Sequence, residues 1–200
     1  MMKSITMRYL LLSSGVISLF LFSPGAVLAG EKNVSMLAST CFGCHGIKGA
    51  TQGPATPSIA GLTDEYLNLS MQDYKSDKRK STVMNRIAKG YTDDEIKKIS
   101  KYFSSQTFVS VKQSADTSLV AKGKELQKQY CDSCHEKDGA LADGIGVLAG
   151  QPIPYLKYTI DDFQSGDREM ERRKKQKMDQ LVKDAGVDGF NAIIQYYGSR

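Results

Sequence analysis

Apolar residues recur at helical spacing in the stretches that lead into the cysteine pairs of this chain. Residues 118–130 carry Leu119, Val120 and Leu126 at helical spacing, and residues 33–40 form a shorter counterpart in the first half. This periodicity predicts an amphipathic helix in front of each cysteine pair. No stretch shows the alternation of apolar and polar residues that is typical of a strand.

Two further helices are predicted downstream of the cysteine pairs. Thr92 and Glu95 form a capping box, in which the hydroxyl caps the helix and the carboxylate turns back. The helix that follows carries apolar residues on one side from Ile96 onward. Asp188 is the matching N-cap candidate for a helix over residues 189–197. We therefore predict an all-α fold.

The chain repeats itself with a period near 90 residues. The matching pairs are Cys41 and Cys131, Tyr66 and Tyr155, Arg79 and Arg168, and Ile96 and Phe190. The offset grows from 89 or 90 to 94 along the chain, which places about five extra residues between Arg168 and Leu181. Each half is therefore expected to carry one copy of the same small fold.

The repeat sets the expected domain boundaries. The first domain is predicted over residues 30–108 and the second over residues 117–200. Residues 109–116 are polar, with Ser and Gln, and are predicted to form a linker. Each domain has 80 to 90 residues, which is small for a self-sufficient core.

Residues 1–29 have the features of a secretory signal peptide. Lys3 and Arg8 are basic, residues 9–22 are apolar but short for a membrane span, and Ala29 offers a cleavage site. An uncleaved anchor is the alternative interpretation. A cleaved signal predicts a periplasmic protein with no membrane span.

The two cysteine pairs belong to Cys41-Phe42-Gly43-Cys44-His45 and Cys131-Asp132-Ser133-Cys134-His135. C-x-x-C-H is the attachment motif of a c-type haem, in which two thiols bond the haem vinyl groups and the histidine binds iron. A zinc site, a redox pair or disulfides are the alternatives. The two motifs use all four cysteines and both histidines of the chain, which favours two covalently bound haem c groups.

The second ligand of each iron cannot be another histidine, because both are already used. Met84 lies 39 residues after His45, past a polar loop and just before a predicted helix. It is therefore our candidate for the first haem. For the second haem, the repeat leaves Met170 and Met178 as candidates, since the extra residues lie between the two registers. Methionine would favour ferrous iron and keep the sixth position filled.

The outward nitrogen of each iron-binding histidine is expected to donate to a carbonyl group. Pro54 or Pro57 could supply that carbonyl in the first domain. The second domain has no proline in the corresponding loop, so a different residue must serve there.

The charge of the chain is modest. It carries 27 basic and 22 acidic residues, and removal of residues 1–29 leaves 25 and 22. Four haem propionates would cancel the remaining excess, so nucleic acid is not an indicated partner. The basic run over residues 172–177 is interpreted as a solvated helical face, with a docking patch for an acidic partner as the alternative.

Several stretches resemble the cytochrome subunit of flavocytochrome c sulfide dehydrogenase, a dihaem, cytochrome c4-like family. They are residues 53–60, residues 81–91 and residues 148–151. Arg168-Glu169-Met170 resembles the Arg-x-Met of that family and favours Met170 as the second distal ligand. Family members often carry another methionine four residues later, where this chain has Lys174.

The resemblance implies two tandem class I cytochrome c domains and an FAD-containing partner subunit that oxidises sulfide. The haems would accept electrons from that FAD and pass them to a soluble cytochrome acceptor. Nothing in this chain would bind flavin or sulfide covalently. Two alternatives are a free-standing cytochrome c4-like carrier to a terminal oxidase, and a haem enzyme with an open sixth position on the second haem.

Overall fold

The computed structural model describes residues 33–141 and 145–200, and these residues belong to one compact unit. The predicted signal peptide lies outside the described residues. Within the described ranges the regular structure is helical, and the one β-type pairing is an isolated antiparallel bridge between Arg79 and Arg168. No helix in this part of the chain is long and apolar enough to cross a bilayer.

Ten α-helical segments follow one another along the described chain. They are α1 Val34–Ser39, α2 Phe42–His45, α3 Asp64–Lys75, α4 Met84–Lys89, α5 Asp93–Ser104, α6 Thr117–Leu126, α7 Glu136–Gly139, α8 Ile153–Ser165, α9 Arg172–Ala185 and α10 Asp188–Gly198. A 3₁₀ turn covers Ile47–Gly49, and a π-helical turn covers Gln127–Cys131. The prediction of an all-α fold is confirmed.

Each half has its own hydrophobic cluster between an N-terminal and a C-terminal helix. In the first half α1 packs against α5, and Leu37, Ile99 and Phe103 are buried there. In the second half α6 packs against α10, and Ile193 and Tyr197 are buried there. The helices thus enclose the loops that carry the cysteine motifs.

The helix before the second motif crosses α10 at Gly123. A Cβ atom at Gly123 would lie 2.0 Å from the carbonyl oxygen of Ala192 and 2.8 Å from Cβ of Tyr196. Only a residue without a side chain allows the two backbones to approach this closely.

Replacing Gly123 by Ala is therefore expected to push α6 and α10 apart. Overpacking of this kind costs about 1–3 kcal/mol of unfolding free energy. Thermal unfolding followed by circular dichroism would measure the loss. Gly43→Ala is the matched control, because a Cβ there meets nothing within 4 Å. Equal unfolding temperatures for the two variants would contradict the close crossing.

The internal repeat is visible in equivalent backbone hydrogen bonds. Gly61 N donates to the oxygen of Phe103 at 2.9 Å, and Gly150 N donates to that of Tyr197 at 2.8 Å. The two donors are 89 residues apart and the two acceptors are 94 apart. The extra residues of the second half therefore lie between two positions that are hydrogen-bonded in the same way in both halves. The helix in this interval is also longer in the second half, since α9 has 14 residues and its counterpart α4 has 6.

Two sequence interpretations need correction in detail. Asp188 is the first residue of α10, and the position before it, Val187, makes no side-chain cap, so the predicted Asp188 cap is wrong. The helix predicted up to residue 130 leaves α geometry after Leu126 and continues as a π-helical turn. The capping box is confirmed, since Glu95 N donates to Oγ1 of Thr92 at 3.2 Å and Thr92 N to Oε2 of Glu95 at 2.9 Å.

The two halves are joined by buried polar and apolar contacts. Ser58 N donates to Oε1 of Gln151 at 2.9 Å, and Nε2 of Gln151 donates back to the oxygen of Ser58 at 2.9 Å. Both residues are buried. The side-chain amide of Gln151 therefore satisfies the backbone N–H and the backbone carbonyl of Ser58 in the other half. Val147 adds an apolar contact, because it is buried in the hydrophobic cluster of the first half.

The predicted linker lies along the second half. Val111 N donates to the oxygen of Gly150 at 2.9 Å. Gln113 donates through Nε2 to the oxygens of Gln151 and Gly198, at 2.8 and 3.1 Å, and accepts from Ile153 N at 2.9 Å. The side chain of Gln113 therefore fixes the linker to the second half through hydrogen bonds.

Candidate haem sites

The first motif is formed by α2 and the turn after it. Nδ1 of His45 lies 2.9 Å from the carbonyl oxygen of Pro57, as expected for one of the two proline carbonyls. Burial lowers the pKa of His45, and the bond to Pro57 opposes this effect. Because a carbonyl oxygen can only accept, Nδ1 donates this hydrogen bond, and Nε2 is the ring nitrogen left for a metal.

All four cysteines carry unpaired thiols. In each motif the first thiol is half-buried and the second is exposed, so Cys41 matches Cys131 and Cys44 matches Cys134. Burial raises the pKa of Cys131 to about 11, so that thiol is neutral before attachment. Residues 33–141 and 145–200 contain no group of three or more His, Cys, Asp or Glu arranged to hold a metal ion.

The second histidine has a different environment from the first. Burial, followed by the charge of Lys174, lowers the pKa of His135 to about 4. Its Nδ1 atom is buried, and none of the described residues accepts a hydrogen bond from it. The carbonyl that we expected for this ring is therefore not found in the described part of the loop. Gln127 stabilises the backbone of the motif, since its Nε2 donates to the backbone oxygen of His135 at 3.2 Å.

A cavity of about 390 Å³ opens beside the second motif. Cys131, Cys134 and His135 contribute to its wall. The remaining wall is largely apolar, with Leu148, Leu156, Ile160, Leu181, Phe190, Ile193, Ile194 and Tyr197 among its residues. Two thiols and a neutral imidazole at the edge of an apolar slot fit a covalently attached haem, because the macrocycle is apolar and its iron takes the imidazole.

Helix α9 supplies polar and sulfur atoms to the same cavity. Lys174, Met178 and Leu181 follow one another at helical spacing and line the wall, whereas Met170, two residues before α9, does not. Lys174 Nζ lies 5.1 Å from the ring centroid of Phe163, and burial lowers the pKa of this lysine. The basic run is therefore not a uniform solvated face, because Lys174 turns inward while its neighbours on both sides are exposed.

The first distal candidate has a comparable place in its own half. Met84 is half-buried and is the first residue of α4, and Ala88 one turn later is fully buried. Residues four apart on a helix share a face. Met84 therefore lies on the face of α4 that is turned toward the interior of the first half.

Four aromatic and basic residues of the haem environment were not singled out as functional by the sequence analysis. Tyr66 and Arg79 of the first half line the cavity of the second half, together with Tyr155 and Arg168. The signal was present in the repeat, since Tyr66 matches Tyr155 and Arg79 matches Arg168. Equivalent positions in a repeat indicate a shared role. The repeat did not show that Tyr66 and Arg79 of the first half lie at the cavity of the second half.

The Cytochrome c family profile matches residues 30–107. Cytochrome c4 of Pseudomonas aeruginosa is 32% identical over 169 residues, which cover 80% of this chain and 81% of that protein. This chain belongs to the cytochrome c4 family. The crystal structure of reduced recombinant cytochrome c4 from Pseudomonas stutzeri has a TM-score of 0.69 at 25% identity and covers 83% of this cytochrome and 97% of that chain.

A second relative differs in kind. The cytochrome subunit of sulfide dehydrogenase from Chlorobaculum tepidum is 44% identical to this cytochrome over 73 residues, 36% of this chain and 66% of that protein. The prediction of class I cytochrome c folds around two covalent haem c groups is confirmed by these relatives. Each bound haem supplies a one-electron Fe³⁺/Fe²⁺ couple, and the chain holds, orients and shields it.

Proposed function

We propose that this cytochrome is the electron-transfer subunit of a sulfide-oxidising flavocytochrome c. It takes electrons singly from the FAD of a partner flavoprotein in a heterodimer and passes them to a soluble cytochrome acceptor. The observation that carries the proposal is the 44% identity to the cytochrome subunit of sulfide dehydrogenase, against 32% for the cytochrome c4 of Pseudomonas aeruginosa. The motif resemblances over residues 53–60 and 81–91 lie in the first half, within the residues that the Cytochrome c profile matches.

The chain itself has electron-carrying and not sulfide-oxidising chemistry. All four cysteines belong to haem motifs, so none is left to form a covalent bond with sulfide or flavin. The partner catalyses sulfide oxidation, and the cytochrome accepts the electrons that this reaction releases. Residues 1–29 act in this proposal as a cleaved signal peptide, and the domains over residues 30–108 and 117–200 work in the periplasm.

The proposal includes a set of ligands for each haem iron. His45 and His135 are the proximal ligands, and Met84 is the distal ligand of the first haem. For the second haem we propose Met178 in place of Met170, and the support is that Met178 lines the cavity that His135 also lines. A thioether in the sixth position favours ferrous iron and leaves little access for other molecules, as an electron carrier requires.

A free-standing cytochrome c4-like carrier to a terminal oxidase is the second candidate. It is favoured by the extent of the similarity, since the cytochrome c4 relative matches 80% of this chain and the sulfide dehydrogenase relative only 36%. The two candidates differ in the protein that donates electrons to the haems. The experiment must therefore identify that electron donor.

The test is purification of the tagged full-length protein from its own host under gentle conditions. We expect an FAD-containing protein to co-purify in equimolar amount, and sulfide to reduce both haems of the complex anaerobically, measured by the absorbance of the ferrous α-band. The control is the haem-loaded cytochrome alone, because sulfide can reduce haem iron slowly without an enzyme. Two results together would favour the free-standing carrier. They are the absence of flavin from the purified material and a rate of haem reduction by sulfide no higher than that of the cytochrome alone.

A further inference from the structure

A basic surface lies on α9 beside the second haem motif. Residues 172–177 contain cations and no carboxylate, and the cations are Arg172, Arg173, Lys174, Lys175 and Lys177. Lys174 lines the haem cavity, and Lys175 forms an ion pair with Asp179 at 2.8 Å. Arg173 and Lys177 are exposed, and neither has a carboxylate partner among the described residues. Their charges are therefore available to a partner.

The side of α9 that carries Arg173 and Lys177 is turned toward the second motif. Asp184 lies on the same side, because spacings of four and seven residues bring side chains onto one face of a helix. The hydroxyl of Tyr130, the residue before Cys131, donates to Oδ2 of Asp184 at 2.6 Å. This bond fixes that side of the helix against the turn that leads into the motif. Arg173 and Lys177 accordingly line the same cavity as Cys131.

The attachment point of the second haem is accessible beside this surface. Cys134 is exposed, so one of the two sulfur atoms that attach the haem can be reached from solvent. Burial raises the pKa of Cys131, and the charge of Lys177 opposes this effect, in keeping with an ammonium group near the other thiol. Electron tunnelling between proteins slows steeply with distance. A redox partner that binds α9 would therefore exchange electrons with the second haem.

The equivalent position in the first half is apolar. Lys177 matches Val83 at the offset of 94 residues that relates the C-terminal parts of the two halves. Val83 is 53% exposed and directly precedes Met84, as Lys177 directly precedes Met178. Permanent interfaces are the more hydrophobic ones, whereas charged groups mainly steer the encounter of two partners. The charged surface of the second half therefore fits a partner that binds transiently.

We propose that Arg173 and Lys177 form a docking surface for the soluble electron acceptor, a one-electron carrier with an acidic surface. This inference rests on the proposed function and deepens it, because it names the place where electrons leave the cytochrome. At each encounter one electron passes from the ferrous second haem to the oxidised carrier, so the haem becomes ferric and the carrier becomes reduced. Opposite charges on the two proteins increase the rate of this encounter.

The test is stopped-flow oxidation of the reduced, haem-loaded cytochrome by an acidic plastocyanin, a soluble copper protein that accepts one electron. The absorbance of the ferrous α-band follows the reaction. We expect the double variant Arg173→Gln with Lys177→Gln to lower the second-order rate constant about tenfold at an ionic strength of about 10 mM, where charges act over about 30 Å. The difference should vanish near about 1 M salt, where that distance falls to about 3 Å.

The matched control is Lys97→Gln with Lys101→Gln. It removes two exposed cations at the same spacing from α5 in the first half. Its rate constant should change by less than about twofold, because these charges lie in the other half. A second probe is the cationic oxidant tris(phenanthroline)cobalt(III), which the α9 surface repels. The α9 variant should react with this oxidant at least as fast as the unchanged protein.

The outcomes separate docking from damage to the haem site. Equal rates of the α9 and α5 variants with plastocyanin, or an equal slowing of the α9 variant with both oxidants, would overturn the proposal. Lys177→Arg keeps the charge and should keep the original rate. A haem content of two per chain confirms that each variant is loaded. The assay contains no flavoprotein, so a failure of the proposed FAD partnership would leave its result unchanged.

Discussion

Met178→Leu is expected to lower the potential of one haem strongly and to leave the other almost unchanged. Leucine keeps the volume of the side chain and removes only the sulfur donor. Loss of the thioether should shift the Fe³⁺/Fe²⁺ ratio at fixed potential at least a hundredfold, or about 120 mV for one electron. The charge-transfer band of thioether-bound ferric haem should also fall to half its intensity.

Met170→Leu is the matched control for this experiment. Met170 lies outside the cavity wall, so its replacement should leave the potentials and spectrum unchanged. Lys174→Leu completes the set, because Lys174 also lines the cavity. If Met170→Leu abolishes the thioether band and Met178→Leu does not, the ligand is Met170. If only Lys174→Leu changes the spectrum of the second haem, that iron carries an amine ligand.

A chain that lacks haem is expected to lose its fixed tertiary packing. A haem-free second half must keep about 390 Å³ open or collapse around it. The apolar side chains around this space lose the contacts that haem would supply, and no other atoms replace them. Whole domains are stable by only about 5–15 kcal/mol, so we expect the loss of these contacts to disrupt the native packing.

The measurement compares the chain expressed with and without the haem-attachment machinery. Near-ultraviolet circular dichroism should be lost in the haem-free protein while part of the helical far-ultraviolet signal remains, as in a molten globule. Cys131→Ala with Cys134→Ala should confine the loss to the second half. A haem-free chain with a cooperative thermal transition at the temperature of the loaded protein would contradict this expectation.

The fold was predictable to the extent that local patterns determine it. The capping box at Thr92, the helices before the motifs and the Pro57 carbonyl all follow from residues close in sequence. The π-helical turn after Leu126 was not predictable, since an extra residue per turn depends on how Tyr130 and Gln127 pack against the rest of the half. Periodicity alone cannot detect such a local change of helix geometry.

The second haem site shows where sequence reasoning reaches its limit. Counting residues left Met170 and Met178 open, because the extra residues between Arg168 and Leu181 could fall on either side of the ligand. The structure places them in α9 and so turns Met178, and with it Lys174, toward the cavity. The exchange of Arg79 and Tyr66 between the halves is a long-range contact, which one sequence without covariation does not reveal.

The pairing of Gln151 with Ser58 has a consequence for the order in which the protein matures. The backbone groups of Ser58 stay without their buried partner until Gln151 folds against them, and Val147 completes the first hydrophobic cluster only then. The N-terminal half therefore remains loosely closed until the C-terminal half has folded. During that interval the thiols of Cys41 and Cys44 stay within reach of the haem-attachment machinery, and the arrival of the C-terminal half closes the pocket over haem that is already bound.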